Sequence, residues 1–243
     1  RPIAGPFHFY HCSIPCEGGG ALVLGSARRA RAGKHRPVHL LGFGEGHTHG
    51  FLTSLARPGR TGAARSGPMA FERSGRAPAD IDIALLYDAF ASNPAMILEE
   101  AGFVKPGGAG DFYRDGRADP GGDLPVNTDG GLIANGEPIG ASGLRQVHEL
   151  VRQLRGEAGD RQIPGSPRVG LAQVYGAPGT ASATKSAMRA TGTEMSCCAA
   201  GPIARSAGAI DSRNSQNCSA WCSFAAIVAS SSSSFSSAVS SIC

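Results

Sequence analysis

Charge is what this chain has least of. Charged residues make up 17% of its 243 positions, and the formal balance is +4. A nucleic-acid-binding domain needs a concentrated positive face, so no nucleic-acid partner is expected. The densest basic run, residues 28–36, reads as a solvated helix end and loop. Long apolar stretches are missing too. Nothing approaches the roughly 20 residues of a bilayer-crossing helix, and no secretory leader pattern opens the sequence. A cytoplasmic setting without a membrane span is therefore expected. Cysteine is present but badly placed for a covalent framework. Of seven, Cys12 and Cys16 lie early, while Cys197, Cys198, Cys218, Cys222 and Cys243 lie late. An odd count without paired spacing excludes a secreted disulfide scaffold. Cys218 and Cys222 lack the second pair of a zinc site, and His47 with His49 suggests no third ligand, so no metal is expected.

What is there comes in two textures. Up to about residue 180 the chain is patterned. Short strands are expected at 21–24, 37–43, 83–87 and 168–175, with helical runs at 27–32 and 70–75 between the first of them. Asp88 is placed to cap a helix running to about 101 and closed by Gly102. The clearest helix carries Leu144, Val147, Leu150, Val151 and Leu154 on one face. Arg145, Gln146, Glu149, Arg152 and Gln153 are expected to face water. Strands alternating with helices imply an α/β domain. A Gly-rich insertion around residues 111–116 has the length of a lid or partner loop. From residue 182 charge thins, serines accumulate and periodicity disappears. That texture fits a disordered low-complexity tail or a shifted reading frame. Residues 54–69 share some of this unpatterned, Arg/Gly-rich character.

Four segments follow one another in a familiar order. They are Cys16 to Leu24 (CEGGGALVL), Tyr87-Asp88-Ala89-Phe90, Asn135-Gly136-Glu137-Pro138 leading into Gly140-Ala141-Ser142-Gly143, and the run QVYGAPG from Gln173. Together they resemble the thiolase superfamily, most closely the lipid-transfer (sterol-carrier-protein-x type) thiolases and their aldolase relatives. The resemblance implies a fold of two similar βαβαβαββ halves stacked in five layers. Here it covers the second half and the end of the first. On that basis residues 1–52 end the N-terminal domain and 53–80 form an irregular connection. Residues 81–180 are then the C-terminal domain, and 181–243 the low-complexity tail. A homodimer, or a complex with a small OB-fold acyl-CoA-binding subunit, is the expected assembly.

The same resemblance locates the chemistry and shows where it departs. Glu137 stands where the family's loop carries histidine, residues 173–175 contain no cysteine, and Tyr87 replaces an Asn or His. Thiolysis needs a thiolate, a histidine to activate it and a second cysteine, so ordinary thiolysis is not expected. Retro-aldol cleavage of a 3-hydroxyacyl-CoA needs only a base, a proton donor and hydrogen bonds to the thioester oxygen. Tyr87, Glu137 and Tyr175 are the candidate catalytic residues. Asn135, Gly136, Gly140, Ser142 and Gly176 are the candidate substrate contacts. No cofactor is expected beyond the coenzyme A of an acyl-CoA substrate. Plainer readings stay open: Glu137 as a cap on the following helix, and Tyr87 and Tyr175 as core tyrosines. A non-catalytic thiolase-like subunit, or an inactive fragment, is the alternative for the whole chain.

Overall fold

The computed structural model describes residues 1–47 and 61–176, and the backbone of two strands at 183–190 and 227–228. In chain order the elements are β1 (Pro2–Ala4), β2 (Phe7–His8), β3 (Val23–Leu24), α1 (Ala27–Arg31), β4 (Val38–Gly44), α2 (Ala63–Ser74) and β5 (Ile83–Leu86). There follow α3 (Ser92–Glu100), α4 (Ala109–Arg114), α5 (Gly131–Asn135), α6 (Ser142–Arg155), β6 (Val169–Tyr175), β7 (Ala183–Ala190) and β8 (Ile227–Val228). Four strands form the central sheet in the order β4-β7-β6-β5. β5 and β6 run parallel, pairing Ile83 with Gly170 and Leu86 with Gln173, while β7 is antiparallel to both its neighbours.

Side chains alternate across the strands, so the sheet buries apolar residues on both faces. Ala84, Leu86, Val169 and Leu171 meet α2, α3 and α4 through Phe71, Ile97, Leu98 and Phe112. Ile83, Leu85 and Ala172 meet α6 through Val147, Leu150 and Leu154. Leu150 and Leu154 are fully buried, each stabilising by about 1.5–3 kcal/mol. The mixed α/β architecture read from the sequence is what the chain adopts.

Several local expectations give way. The sheet takes in Val38–Gly44, which the sequence grouped with the preceding segment, and runs past residue 180 to Ala190. Helix α2 begins at Ala63, inside the stretch that showed no pattern. It sits directly on β4, where a Cβ on Gly44 would collide with the Ser66 carbonyl and one on Gly42 would come within 2.8 Å of the Ala70 carbonyl. Backbone-to-backbone packing replaces the apolar stripe that a periodicity search looks for. The insertion before Leu124 contains α4, with Phe112 in the core.

Asp88 does not cap α3, whose N-cap is Ala91. Its carboxylate accepts instead from the Leu132 N–H at 2.7 Å, satisfying an orphan donor at the start of α5. Gln146, Glu149 and Gln153 do not face water. They are 1%, 3% and 0% exposed. That flank of α6 is covered by the loops around Thr128 and Arg161. The two amide hydrogens of Gln153 are shared among the Arg161 carbonyl, Glu149 and Thr128 Oγ1, all within 3.2 Å of Nε2, and its oxygen accepts from Ile163 N–H. Arg161 pairs with Glu149 at 3.0 Å.

Candidate functional site

The site forms at the C-terminal ends of the parallel pair β5 and β6. Tyr87 directly follows β5 and Tyr175 ends β6, and their rings meet edge to face with centroids 5.4 Å apart. Beyond β5, the loop of residues 125–127 behaves as a further edge strand. Asn127 completes it by accepting from Leu86 N–H at 2.7 Å and donating to the Leu86 carbonyl at 2.9 Å. The chain then turns through Gly130 and Gly131 into α5. Gly131 has φ +67°, and a Cβ there would run into the Asp88 carboxylate. Only glycine meets both demands. The β5 terminus and the α5–α6 loop are thereby held together.

That loop carries Glu137, which is 8% exposed. Its backbone is clamped by the N-terminal segment: Glu137 N–H donates to the Ile14 carbonyl at 2.9 Å, and Cys16 N–H to the Glu137 carbonyl at 3.2 Å. Gly136 (φ +86°) leaves room for the Cys16 side chain. The Ser142 hydroxyl donates to Glu137 Oε1, while no group meets Oε2 in hydrogen-bonding geometry. A buried carboxylate oxygen without a partner is costly, and such groups concentrate where a ligand is expected. Tyr87 lies beside this carboxylate. Burial first, and then the Glu137 charge, raise the Tyr87 phenol far above its ordinary range. It stays protonated, a donor, throughout the physiological range. Burial also raises Tyr175, whose hydroxyl donates to Thr61 Oγ1 at 2.8 Å.

Tyr87, Tyr175, Glu137 and Ser142 thus belong to one corner of the fold. Glu137 does not cap α6 through a backbone N–H, since no side chain caps that helix. Asn135 and Gly136 lie on the other side of the loop. They line a cleft of about 370 Å³ together with Cys16, Pro138, Arg145 and His148. Asn135 also spends its amide on the Asp129 and Gly131 carbonyls. Gly140, with φ +94°, turns the chain into α6 on the exposed side. Gly176 directly follows Tyr175, and residues 177–179 of that loop lie outside the described residues. His47 pairs with Glu45 at the surface, and His49 also lies outside them.

Sequence reading missed Thr61 and Glu100. Glu100 offered a signal: a carboxylate in the last turn of a helix opposes the helix dipole, so something else must hold it there. Its partner is Thr61, whose backbone N–H and hydroxyl both donate to it.

A family model described as "Thiolase C-terminal domain-like" matches residues 44–188. The chain belongs to the thiolase superfamily. It is 35% identical over 183 residues to the acetyl-CoA acetyltransferase of Methanothermobacter thermautotrophicus, covering 73% of this chain and 46% of that protein. It is 38% identical over 157 residues to the steroid side-chain-cleaving aldolase of Thermomonospora curvata, covering 63% and 40%. Among solved structures it resembles a chain of the Ltp2-ChsH2(DUF35) aldolase, with a TM-score of 0.66 and 27% identity, covering 78% of this chain and 49% of that one. This thiolase-superfamily chain spans about half the length of the relatives it matches. Among the described residues no helix is long and apolar enough to cross a membrane.

Proposed function

We propose that this chain supplies the C-terminal half of a thiolase-fold enzyme adapted to retro-aldol C–C cleavage of a 3-hydroxyacyl-CoA, in lipid or steroid side-chain breakdown. The observation that carries this reading is the corner built from Tyr87, Tyr175 and Glu137. Glu137 and Tyr175 fall where the resemblance puts the histidine and second cysteine of thiolysis, and Tyr87 falls where it puts an Asn or His. The cleavage needs no covalent nucleophile: a base takes the hydroxyl proton, the C–C electron pair passes into the thioester enolate, and a donor protonates the α-carbon. Tyr87, kept protonated beside Glu137, suits the donor side. Asn135 and Gly136 line a cleft on the other side of the Glu137 loop and are proposed to contact the part of the substrate remote from the reacting carbons. Ser142 sits in the corner itself, against Glu137, Gly140 turns the chain into α6, and Gly176 directly follows β6; they are the remaining proposed substrate contacts. Coenzyme A enters only as part of the substrate, and the reaction calls for no resident cofactor.

The working unit is a complex in a cytoplasmic setting, as a homodimer or with an OB-fold acyl-CoA-binding subunit. The solved relative's pairing of Ltp2 with ChsH2(DUF35) supports the second form. The test is release of propionyl- or acetyl-CoA from a 3-hydroxyacyl-CoA by the assembled protein. Glu137→Ala and Tyr87→Phe are each expected to lower the rate at least tenfold, about 1.4 kcal/mol of lost transition-state stabilisation. Effects within twofold reject both roles.

A further inference from the structure

The Tyr175 phenol is held by a chain of hydrogen bonds whose direction is fixed at its far end. Glu100, half-buried at the end of α3, accepts from Thr61 N–H at 2.5 Å and, through its second oxygen, from the Thr61 hydroxyl. A carboxylate only accepts. The Thr61 hydroxyl proton is therefore committed to Glu100, and Thr61 Oγ1 is left to accept. It does so twice, from Ala63 N–H at 3.1 Å and from the Tyr175 hydroxyl at 2.8 Å. The Tyr175 proton then points at Thr61, away from Tyr87, and its oxygen lone pairs are the part left for the site. Tyr87 has a different neighbour: the Glu137 carboxylate, which adds to burial in keeping its phenol protonated and is not part of the Thr61–Glu100 chain.

We propose that Thr61 and Glu100 are positioning residues that set Tyr175 as the proton-accepting phenol and carry its proton away. This rests on the retro-aldol reading of the site. When Tyr175 takes the proton of the substrate hydroxyl, its own O–H proton passes to Thr61 Oγ1, and the Thr61 proton passes to Glu100. The substrate alkoxide collapses to a carbonyl, the C–C bond breaks, and its electron pair forms the thioester enolate. Tyr87 gives its proton to the enolate carbon. One proton has left the substrate oxygen and one has reached the α-carbon. Glu100 then loses its proton and Tyr87 regains one, both through solvent. Burial raises the Tyr175 phenol, the Thr61 hydrogen bond lowers it, and the Glu100 charge raises it to a smaller extent; the net effect is upward, in keeping with a proton that moves on rather than one already lost.

The test uses the assembled, turnover-competent protein and three substitutions. Thr61→Val removes the hydroxyl at nearly constant volume, Thr61→Ser restores it, and Glu100→Gln keeps shape but places N–H donors against Thr61. The expected result is a fall in kcat of at least tenfold for Thr61→Val and Glu100→Gln with KM within threefold. Thr61→Ser should return kcat to within threefold of the parent. The chain has four tyrosines, so 13C-tyrosine labelling gives a separable ring-Cζ signal for Tyr175, assigned with Tyr175→Phe. That signal should move in Thr61→Val and return in Thr61→Ser. An unchanged kcat in Thr61→Val, or a Cζ signal indifferent to Thr61, overturns the proposal. If Thr61→Val fails to fold, Glu100→Gln decides the matter: kcat within twofold of the parent is the overturning result. A parent without retro-aldol turnover rejects the proposed function, and the Cζ signal still decides which way Tyr175 donates.

Discussion

At the scale of single residues, the site depends on side chains whose role is set by partners remote in sequence. Asp88 shows this most plainly. An Asp ahead of a helical run is a sound local cap signal, but the carboxylate is taken by α5, 44 residues on. Burial raises its pKa, against the opposing pull of the Leu132 and Ile133 N–H groups and of Arg145. The folded chain therefore holds the Asp88 proton more tightly than the unfolded chain does. Its contribution to stability is greatest below the ordinary carboxylate range and is lost as pH rises through the raised value. Asp88→Asn keeps an oxygen for Leu132 and removes the titration. Urea midpoints should show the variant gaining on the parent between pH 4 and pH 7; the reverse trend would contradict this. The identities of Tyr87, Glu137 and Tyr175 could be read from the sequence. Their setting could not, because the unpartnered Glu137 oxygen and the Thr61–Glu100 hold on Tyr175 arise from tertiary placement.

At the scale of elements, α6 marks the limit of periodicity as a guide. Its apolar stripe was legible and packs as expected on β5 and β6. Its polar flank was misread because a helical pattern separates polar from apolar but does not say what the polar side meets. Here Glu149 and Gln153 meet other polar groups, and these two buried side chains, with half-buried Thr128 and exposed Arg161, tie down the loop that leads into the site. Gln153→Leu would leave the Ile163 N–H and the Arg161 carbonyl without their partner, at an expected cost of about 2–3 kcal/mol by urea denaturation. A cost below about 0.5 kcal/mol would mean the network adds little. Helix α2 showed only in its second half, the run at 70–75, and its first half was missed for the opposite reason. Glycine and Pro68 mask its pattern, and its position comes from close contact with Gly42 and Gly44 of β4, which no single segment displays.

At the scale of the molecule, the chain is one half of a larger family architecture, and its surface reflects that. Ile3, Phe9, Tyr10, Ile14 and Val23 near the start are exposed, as are Phe43 and Ile139. Where such residues gather into one contiguous patch they favour association. The isolated chain is expected to associate at micromolar concentration and to bind a hydrophobic dye, by size-exclusion chromatography with light scattering and by dye fluorescence. A monodisperse, dye-silent monomer would contradict that. The most direct measurement identifies the products when the assembled protein meets a 3-hydroxyacyl-CoA in the absence of free coenzyme A. Retro-aldol cleavage predicts a ketone or aldehyde together with a shortened acyl-CoA in equal amounts. No cleavage there, with turnover of a 3-ketoacyl-CoA only when free coenzyme A is supplied, would mean thiolysis survives and that the tyrosine–glutamate corner has another purpose.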